Sequence, residues 1–338
     1  MNDFPATPKE MKNAILYGLR SALLTLGSAT KAELSQKLGL SFPTISKFLT
    51  QMEEAGELLA VGLDDSSGGR RAQRYAYNPE FMLGLAIFFE KSDISYTIFN
   101  CAGETKEQGS TSSALMNDLP SLTMYIEQLL LGHPNIKSIA IGVPGAVNNG
   151  RVIHIPDYSN FQNINLKHYL EEQFSLPVVV ENDMNAAVLG YYKTGSHKDN
   201  PSLVYLYFGQ FGPGAGIIIN GDVVRGSTFF SGEVSYVPQY NELNFHQAIQ
   251  KKDGAGRLDA IGRLDAIGRL IASFAAIINP HTIVFNNAEV NDAILERIKE
   301  RSADYIPKEH LPLLKASDMK KDYLDGLQSL GLDLMISI

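Results

Sequence analysis

Three short clusters hold most of the side chains able to bind or react. Ile141-Gly142-Val143-Pro144-Gly145-Ala146-Val147 reads as a strand end running into a glycine turn, and Ile155-Pro156-Asp157-Tyr158 follows it. The second cluster is Val180-Glu181-Asn182-Asp183-Met184-Asn185-Ala186-Ala187, and the third is Gly232-Glu233-Val234-Ser235-Tyr236. Asn182 and Asp183 fall where a strand meets a helix, a usual ligand position in α/β proteins. An amide beside two carboxylates both donates and accepts hydrogen bonds, the mixture that a hydroxyl-rich ligand such as a sugar needs. Any one of these residues taken alone also fits a helix cap or a turn; their clustering is what points to a site.

A different chemistry is written into residues 32–49. A short amphipathic helix containing Ala32, Leu34 and Leu38 stops at Gly39, and a second helix opens at the N-cap residue Ser41 with Pro43 in its first turn, where the missing N–H costs little. Ile45, Phe48, Leu49 and Met52 recur at i, i+3, i+4 and i+7 and form one buried stripe. Thr44, Lys47 and Gln51 share the opposite face, with Ser46 beside it. An apolar back and short polar or cationic groups in front suit a helix that enters a major groove. Ser41, Thr44, Ser46 and Lys47 are therefore candidates for contact with DNA, each weighed against a plain solvated helix face.

The elements around these residues divide the chain. Residues 12–26 form a helix behind the helix pair. Leu58–Val61 and Gln73–Tyr77 read as strands flanking a polar glycine loop that carries Arg70 and Arg71, so a winged helix-turn-helix is expected over residues 1–78. Arg70 and Arg71 are candidates for reaching the minor groove or backbone, against a solvated linker. Asn78-Pro79 marks the boundary. Beyond it, strands at Leu83–Phe89, Ile94–Asn100, Lys137–Val143, Pro177–Glu181, Leu203–Phe208, Ala215–Asn220 and Thr282–Phe285 alternate with helices at Ser121–Leu131, Asn185–Tyr192 and Leu270–Ile278. That alternation implies an α/β body over 79–338. Gly-Arg-Leu-Asp-Ala-Ile occurs twice in tandem at 256–267. Its six-residue period does not keep one helix face, which makes it a local duplication and not a repeat architecture.

Charge and composition narrow the partners. The 338 residues carry a net charge of −8, yet residues 1–78 hold nine Lys/Arg against eight Asp/Glu, and the remainder 20 against 29. A near-neutral reader beside an acidic body fits DNA contact confined to one end. The one cysteine, Cys101, forms neither an internal disulfide nor, alone, a zinc site. No apolar run approaches the ~18 residues of a membrane span, and the N-terminus is not a signal peptide. A cytoplasmic protein is expected.

Together these motifs resemble the ROK family (repressors, open reading frames and sugar kinases) over nearly the whole chain, most strongly at 32–75, 139–190, 203–236 and 278–284. The resemblance implies a two-lobed actin-like ATPase (RNase H-like) fold behind the winged helix. It aligns Asp183 with the kinases' catalytic base, Asn182 and Glu233 with residues that grip the sugar, and Asp157 with a sugar-binding asparagine. The departures matter more. The family's Asp-x-Gly-Gly-Thr phosphate cradle is replaced by Phe88-Phe89-Glu90-Lys91-Ser92. In the second cradle, 209–216, Phe211 stands at or near the usual threonine or serine, and Pro213 lacks an N–H. The nucleotide-base glycines are Asn286-Asn287. Tyr236 stands where the family has a zinc-binding histidine, and the cysteines expected in 238–247 are missing, although His246 is nearby.

The chain is thus expected to be a DNA-binding regulator, most simply a repressor, that binds operator DNA and responds to a sugar or sugar derivative. Asp157, Asn182, Asp183, Glu233 and Tyr236 are its expected sugar-binding residues. It is expected to use no ATP, other cofactor or metal, and to work as a homodimer or higher homo-oligomer, because half-site recognition follows two-fold symmetry. The competing expectation is an ATP-dependent sugar kinase with an accessory DNA-binding domain.

Overall fold

The computed structural model describes residues 7–64, 71–90, 93–115, 118–155, 158–195, 201–209, 212–240, 242–252 and 260–338. Arg70, Asp157 and Phe211, together with part of the duplicated segment, lie outside the described residues.

The chain opens with α1 (Pro8–Leu26), β1 (Ala29–Thr30), α2 (Lys31–Leu38), α3 (Phe42–Glu54), β2 (Leu58–Leu63) and β3 (Gln73–Tyr77). Thr7, Thr30 and Ser41 cap the three helices, their side-chain oxygens accepting the otherwise unsatisfied N–H groups of the first turn. The apolar stripe on α3 is buried as expected at Ile45, Phe48, Leu49 and Met52. β3 lies between β1 and β2, antiparallel to both.

The body begins with β4 (Leu83–Phe89), β5 (Asp93–Asn100), β6 (Thr105–Ser112), α4 (Leu119–Gly132) and β7 (Ile136–Val143). A small sheet follows, formed by β8 (Ala146–Asn148), β9 (Arg151–His154) and β10 (Ile164–Asn165). Then come α5 (Leu166–Phe174), β11 (Val178–Asn182) and α6 (Asp183–Thr194). The second half contains β12 (Leu203–Tyr207), β13 (Gly214–Ile219), β14 (Asp222–Val223), α7 (Phe245–Gln250), α8 (Ala260–Ile277), β15 (Thr282–Asn286), α9 (Asp292–Ser302), β16 (Leu313–Ser317) and α10 (Met319–Ile336).

Two five-stranded sheets repeat one plan. The first runs β11-β7-β4-β5-β6 and the second β16-β15-β12-β13-β14. In each, an antiparallel three-strand meander is extended by two parallel strands. The inner strands, such as Leu85–Phe89 and Ile139–Val143, are buried along their length, as sheets covered on both faces require. α6 and α10 cross between the two halves in close contact.

Several elements extend beyond the sequence reading. β6 is a mostly exposed polar edge strand, Thr-Lys-Glu-Gln-Gly-Ser-Thr-Ser, without the apolar alternation that marks a strand. α8 starts at Ala260, ten residues before the expected Leu270, and takes in the second copy of the duplicated hexapeptide. Asp265 of that copy is buried and pairs with Arg269 and Arg301, and Tyr305 donates to it. Arg269 also sits over the rings of Tyr240 and Tyr305, 4.9 and 4.6 Å from their centroids. An ion-pair knot thus adds to the buried Ala266 and Ile267 in fixing this turn of α8.

The core does not break at Asn78-Pro79. Leu19, Leu23 and Leu49 from the N-terminal elements belong to one buried cluster with Met82, Leu327 and Met335.

Candidate functional site

A cavity of about 590 Å³ opens between the β7–β9 turns, the N-terminus of α6 and the loops on either side of β13 and β14. That volume falls within the ~300–1,000 Å³ of ordinary small-molecule pockets. Asn182, Asp183, Glu233 and Tyr236 all line it, so four of the five expected sugar-binding residues converge.

Asn182 ends β11 and caps α6. Its Oδ1 accepts the N–H of Asn185 at 3.0 Å, while its Nδ2 donates to Gly145 O at 2.9 Å and to Asp183 at 3.0 Å. The helix-cap reading and the ligand reading of this residue therefore coexist: the cap is what aims the amide at the cavity. Asp183 accepts the N–H of Met184 at 2.8 Å. Burial pushes its carboxyl up to about 7, and the nearby Glu233 carboxylate pushes the same way against those two hydrogen bonds. Burial also raises Glu233, with His154 opposing. Two carboxyls that hold protons more tightly than usual can donate to ligand hydroxyls as well as accept from them.

Arg225 escaped the sequence reading, which has Glu181 only as a member of the second cluster. Arg225, in the loop after β14, makes an ion pair with buried Glu181 of β11, whose other oxygen accepts from Asn185 Nδ2 at 3.0 Å and from Asn182 N at 2.9 Å. The pair ties the second half of the body to the first beside the cavity. No motif marks Arg225; only the three-dimensional approach of the two segments reveals it. His246 lines the cavity as well. Among the described residues no three His, Cys, Asp or Glu side chains converge as a metal set. With Tyr236 in place of an imidazole, the donors here do not fit the family's zinc ion.

The face of the cleft where a nucleotide would lie is differently furnished. Phe88 is buried and meets the Tyr323 ring edge-on at 5.6 Å. Tyr323, from α10, packs so closely over β7 that a Cβ on Gly142 would collide with its hydroxyl. That hydroxyl is buried and has no hydrogen-bond partner among the described residues, and burial together with Asp183, Glu90 and Glu181 drives its pKa far up. Phe89 points the other way, against Tyr158 and Phe161. Glu90 pairs with Lys320 at 3.1 Å. The Phe208 N–H, which leads into the glycine segment 209–216, donates to the Glu289 carboxylate at 3.1 and 3.2 Å. Burial and three carboxylates (Glu289, Asp183 and Glu90) all raise the phenol pKa of Tyr207. A cradle for phosphate needs N–H groups and cations; among the described residues the cations on this face, Lys320 and Arg263, sit over the rings of Phe88 and Phe208, and Lys320 is paired with Glu90.

At the other end of the chain, Thr44 is half-buried and Lys47 exposed on α3. Ser41 Oγ accepts from Thr44 N at 3.3 Å and lies 2.8 Å from Thr44 Oγ1, so it works as a cap. Ser46 Oγ accepts from Lys31 Nζ at 3.0 Å. Arg71 is exposed.

Residues 91–242 match the ROK family. This segment is a ROK family domain. A putative xylose repressor from Caldicellulosiruptor sp. (strain Rt8B.4) is 31% identical over 218 residues, covering 62% of this chain and 54% of that protein. A β-glucoside kinase from Listeria monocytogenes is 37% identical over 123 residues, 36% of this chain and 42% of that one. The chain thus matches about half the length of these curated relatives. A solved ROK family transcriptional regulator, described as a homologue of the E. coli MLC protein, superposes with a TM-score of 0.73 at 19% identity, covering 96% of this chain and 98% of that one. The ROK domain therefore has the mixed α/β, actin-like fold of the family's sugar kinases. Among the described residues no helix is long and apolar enough to cross a membrane.

Proposed function

We propose that this protein is a sugar-responsive transcriptional repressor that does not phosphorylate its ligand. The observation that carries the reading is the asymmetry of the cleft. Its sugar side is an open cavity lined by Asn182, Asp183 and Glu233. Its phosphate side is filled by Phe88 against Tyr323, with Glu289 holding the Phe208 N–H. Relatives named as xylose repressors support the same reading.

In this reading residues 1–78 are a winged helix-turn-helix that contacts operator DNA through Thr44, Ser46 and Lys47 of α3 and through Arg70 and Arg71 of the wing. Residues 79–338 sense the ligand and dimerise, so that two winged helices reach two half-sites. The protein works in the cytoplasm with its operator. Sugar in the cavity, contacting Asp157, Asn182, Asp183, Glu233 and Tyr236, favours one arrangement of the two sheets over another. That differential affinity is what lowers binding to DNA.

Titrating the full-length protein onto its own promoter fragment, with and without xylose and related sugars, tests the first half; a sugar-dependent loss of the shifted band is expected. A coupled assay with ATP and the same sugars tests the second. Asp183, titrating near neutrality where a catalytic base would, favours the kinase alternative. Sugar phosphate formed by the wild type and not by Asp183→Asn would establish that alternative.

A further inference from the structure

The cavity extends beyond the cluster at its floor. Phe230 and Tyr236 line it as well, their rings packed against each other with centroids 5.3 Å apart at 46°. Both side chains are largely open to solvent, at 55% and 64% exposure. An aromatic pair left wet on the lining of an open cavity forgoes the burial that such rings ordinarily supply.

The backbone is shaped to hold them there. Phe229 has φ +59°, a left-handed conformation that is an outlier for a bulky residue. It lies between two glycine pivots, Gly226 at φ +74° and Gly232 at φ +91°. The loop closes on itself through Ser231 N to Arg225 O and Glu233 N to Phe230 O, both 3.3 Å. At its root Arg225 is pinned to Glu181. The ledge is thus fixed to the same β11–α6 junction that presents Asn182 and Asp183.

We propose that Phe230 and Tyr236 form a second-ring subsite, and that the effector is a two-ring saccharide whose first ring lies on Asn182, Asp183 and Glu233. This rests on the sugar-effector reading above and narrows it. One face of a sugar ring presents C–H groups, which pack on an aromatic face, while its edges carry hydroxyls. The rings of Phe230 and Tyr236 serve the first need. Ser231, His246 and the Tyr236 hydroxyl, which line the same cavity, serve the second. A one-ring sugar on Asp183 would leave the ledge empty.

Isothermal titration of the full-length protein distinguishes the two. The probes are xylose, glucose and galactose against xylobiose, cellobiose, maltose and lactose. At least one two-ring probe is expected to bind about tenfold or more tighter than its one-ring half. That ratio should collapse to within about twofold in Phe230→Ala and in Tyr236→Ala, and survive in Tyr236→Phe, which keeps the ring. Melting temperatures of the variants guard against misfolding. One-ring sugars binding as tightly as two-ring ones would overturn the subsite and leave the sugar-effector reading standing. A two-ring preference that persists in both alanine variants would also overturn it. Binding of none of the seven sugars, with operator affinity unchanged by any of them, would overturn the subsite and the effector reading together.

Discussion

Arg20 of α1 holds the far end of α10: its guanidinium donates to the main-chain oxygens of Ile336, at 3.2 Å, and Ile338. Its Nε also binds Glu57 at 2.6 Å, with both side chains less than a tenth exposed. The Tyr77 hydroxyl donates to the same carboxylate at 3.0 Å. The opposite end of α10 carries Lys320 and Tyr323 into the cleft. One helix therefore touches both the N-terminal helical unit and the Phe88 side of the cleft. Arg20→Met should cost about 3–5 kcal/mol, because it strands a buried Glu57 carboxylate. In a Glu57→Gln background the same change should cost at least about 1 kcal/mol less, which urea unfolding of the four proteins measures. The sugar-driven loss of operator affinity should also shrink. Additive costs together with an unchanged response would show that the α1–α10 contact is passive.

The raised Asp183 carboxyl gives stability a pH dependence of definite sign. In the unfolded chain this group ionises near 4; in the native protein it does so at about 7. Between those values the native state keeps a proton that the unfolded state has lost, so stability falls as pH rises through the window. At about 1.4 kcal/mol per unit the loss is at most about 4 kcal/mol, and solvent in the cavity makes it smaller. Asp183→Asn lacks this term. Its melting temperature should gain on the wild type progressively from pH 5 to pH 8, and a gap independent of pH would contradict the burial account. Glu233, also raised by burial, acts in the same direction, so Glu233→Gln should show a similar trend.

What could be read from residue order alone was whatever depends on local pattern. The α3 stripe, the Ser41 cap and the Asn182-Asp183 junction all rest on spacing within one element, and each is found where the spacing places it. The departure at Phe88 was legible only by resemblance to the family's Asp-x-Gly-Gly-Thr motif. The filling of that space by Tyr323 was not, because α10 lies 235 positions further along and carries no motif. Arg225 and the Asp265 knot were hidden for the same cause: their partners, Glu181 and Arg301, come from other segments. β6 was missed because an edge strand exposed to water needs no apolar alternation.

The polar face of α3 separates into groups with different expected effects. Lys47 is exposed, and if it meets phosphate, Lys47→Ala should lower the slope of log K against log salt by about one unit, uniformly across operator sequences. Ser41 is committed to capping. Ser41→Ala should therefore cost about 1 kcal/mol of stability while leaving sequence preference intact. Operator titrations at several salt concentrations, paired with thermal unfolding, separate the two. A salt slope unaltered in Lys47→Ala would remove that residue from the DNA interface.

The close crossing of α6 and α10 sets the distance between Asp183, in the first turn of one, and Tyr323 on the other. It depends on two glycines. A methyl on Gly326 would strike the carbonyl oxygen of Ala186, and one on Gly190 would strike that of Asp322. Both obstacles are backbone, so neither can turn aside as a flexible side chain would; the helices themselves must separate. Gly326→Ala is therefore expected to cost at least the 1–3 kcal/mol typical of overpacked cores. Gly132, at the end of α4, has nothing within 4 Å of where its Cβ would stand. Alanine there should be neutral or slightly stabilising through helix propensity. Spreading α6 from α10 also moves the Asn182 amide and the Asp183 carboxyl away from Tyr323. Sugar affinity in Gly326→Ala should accordingly fall at temperatures well below its melting point, and in Gly132→Ala it should not. Equal affinity in both variants would mean that the crossing supports the fold without setting the geometry of the site.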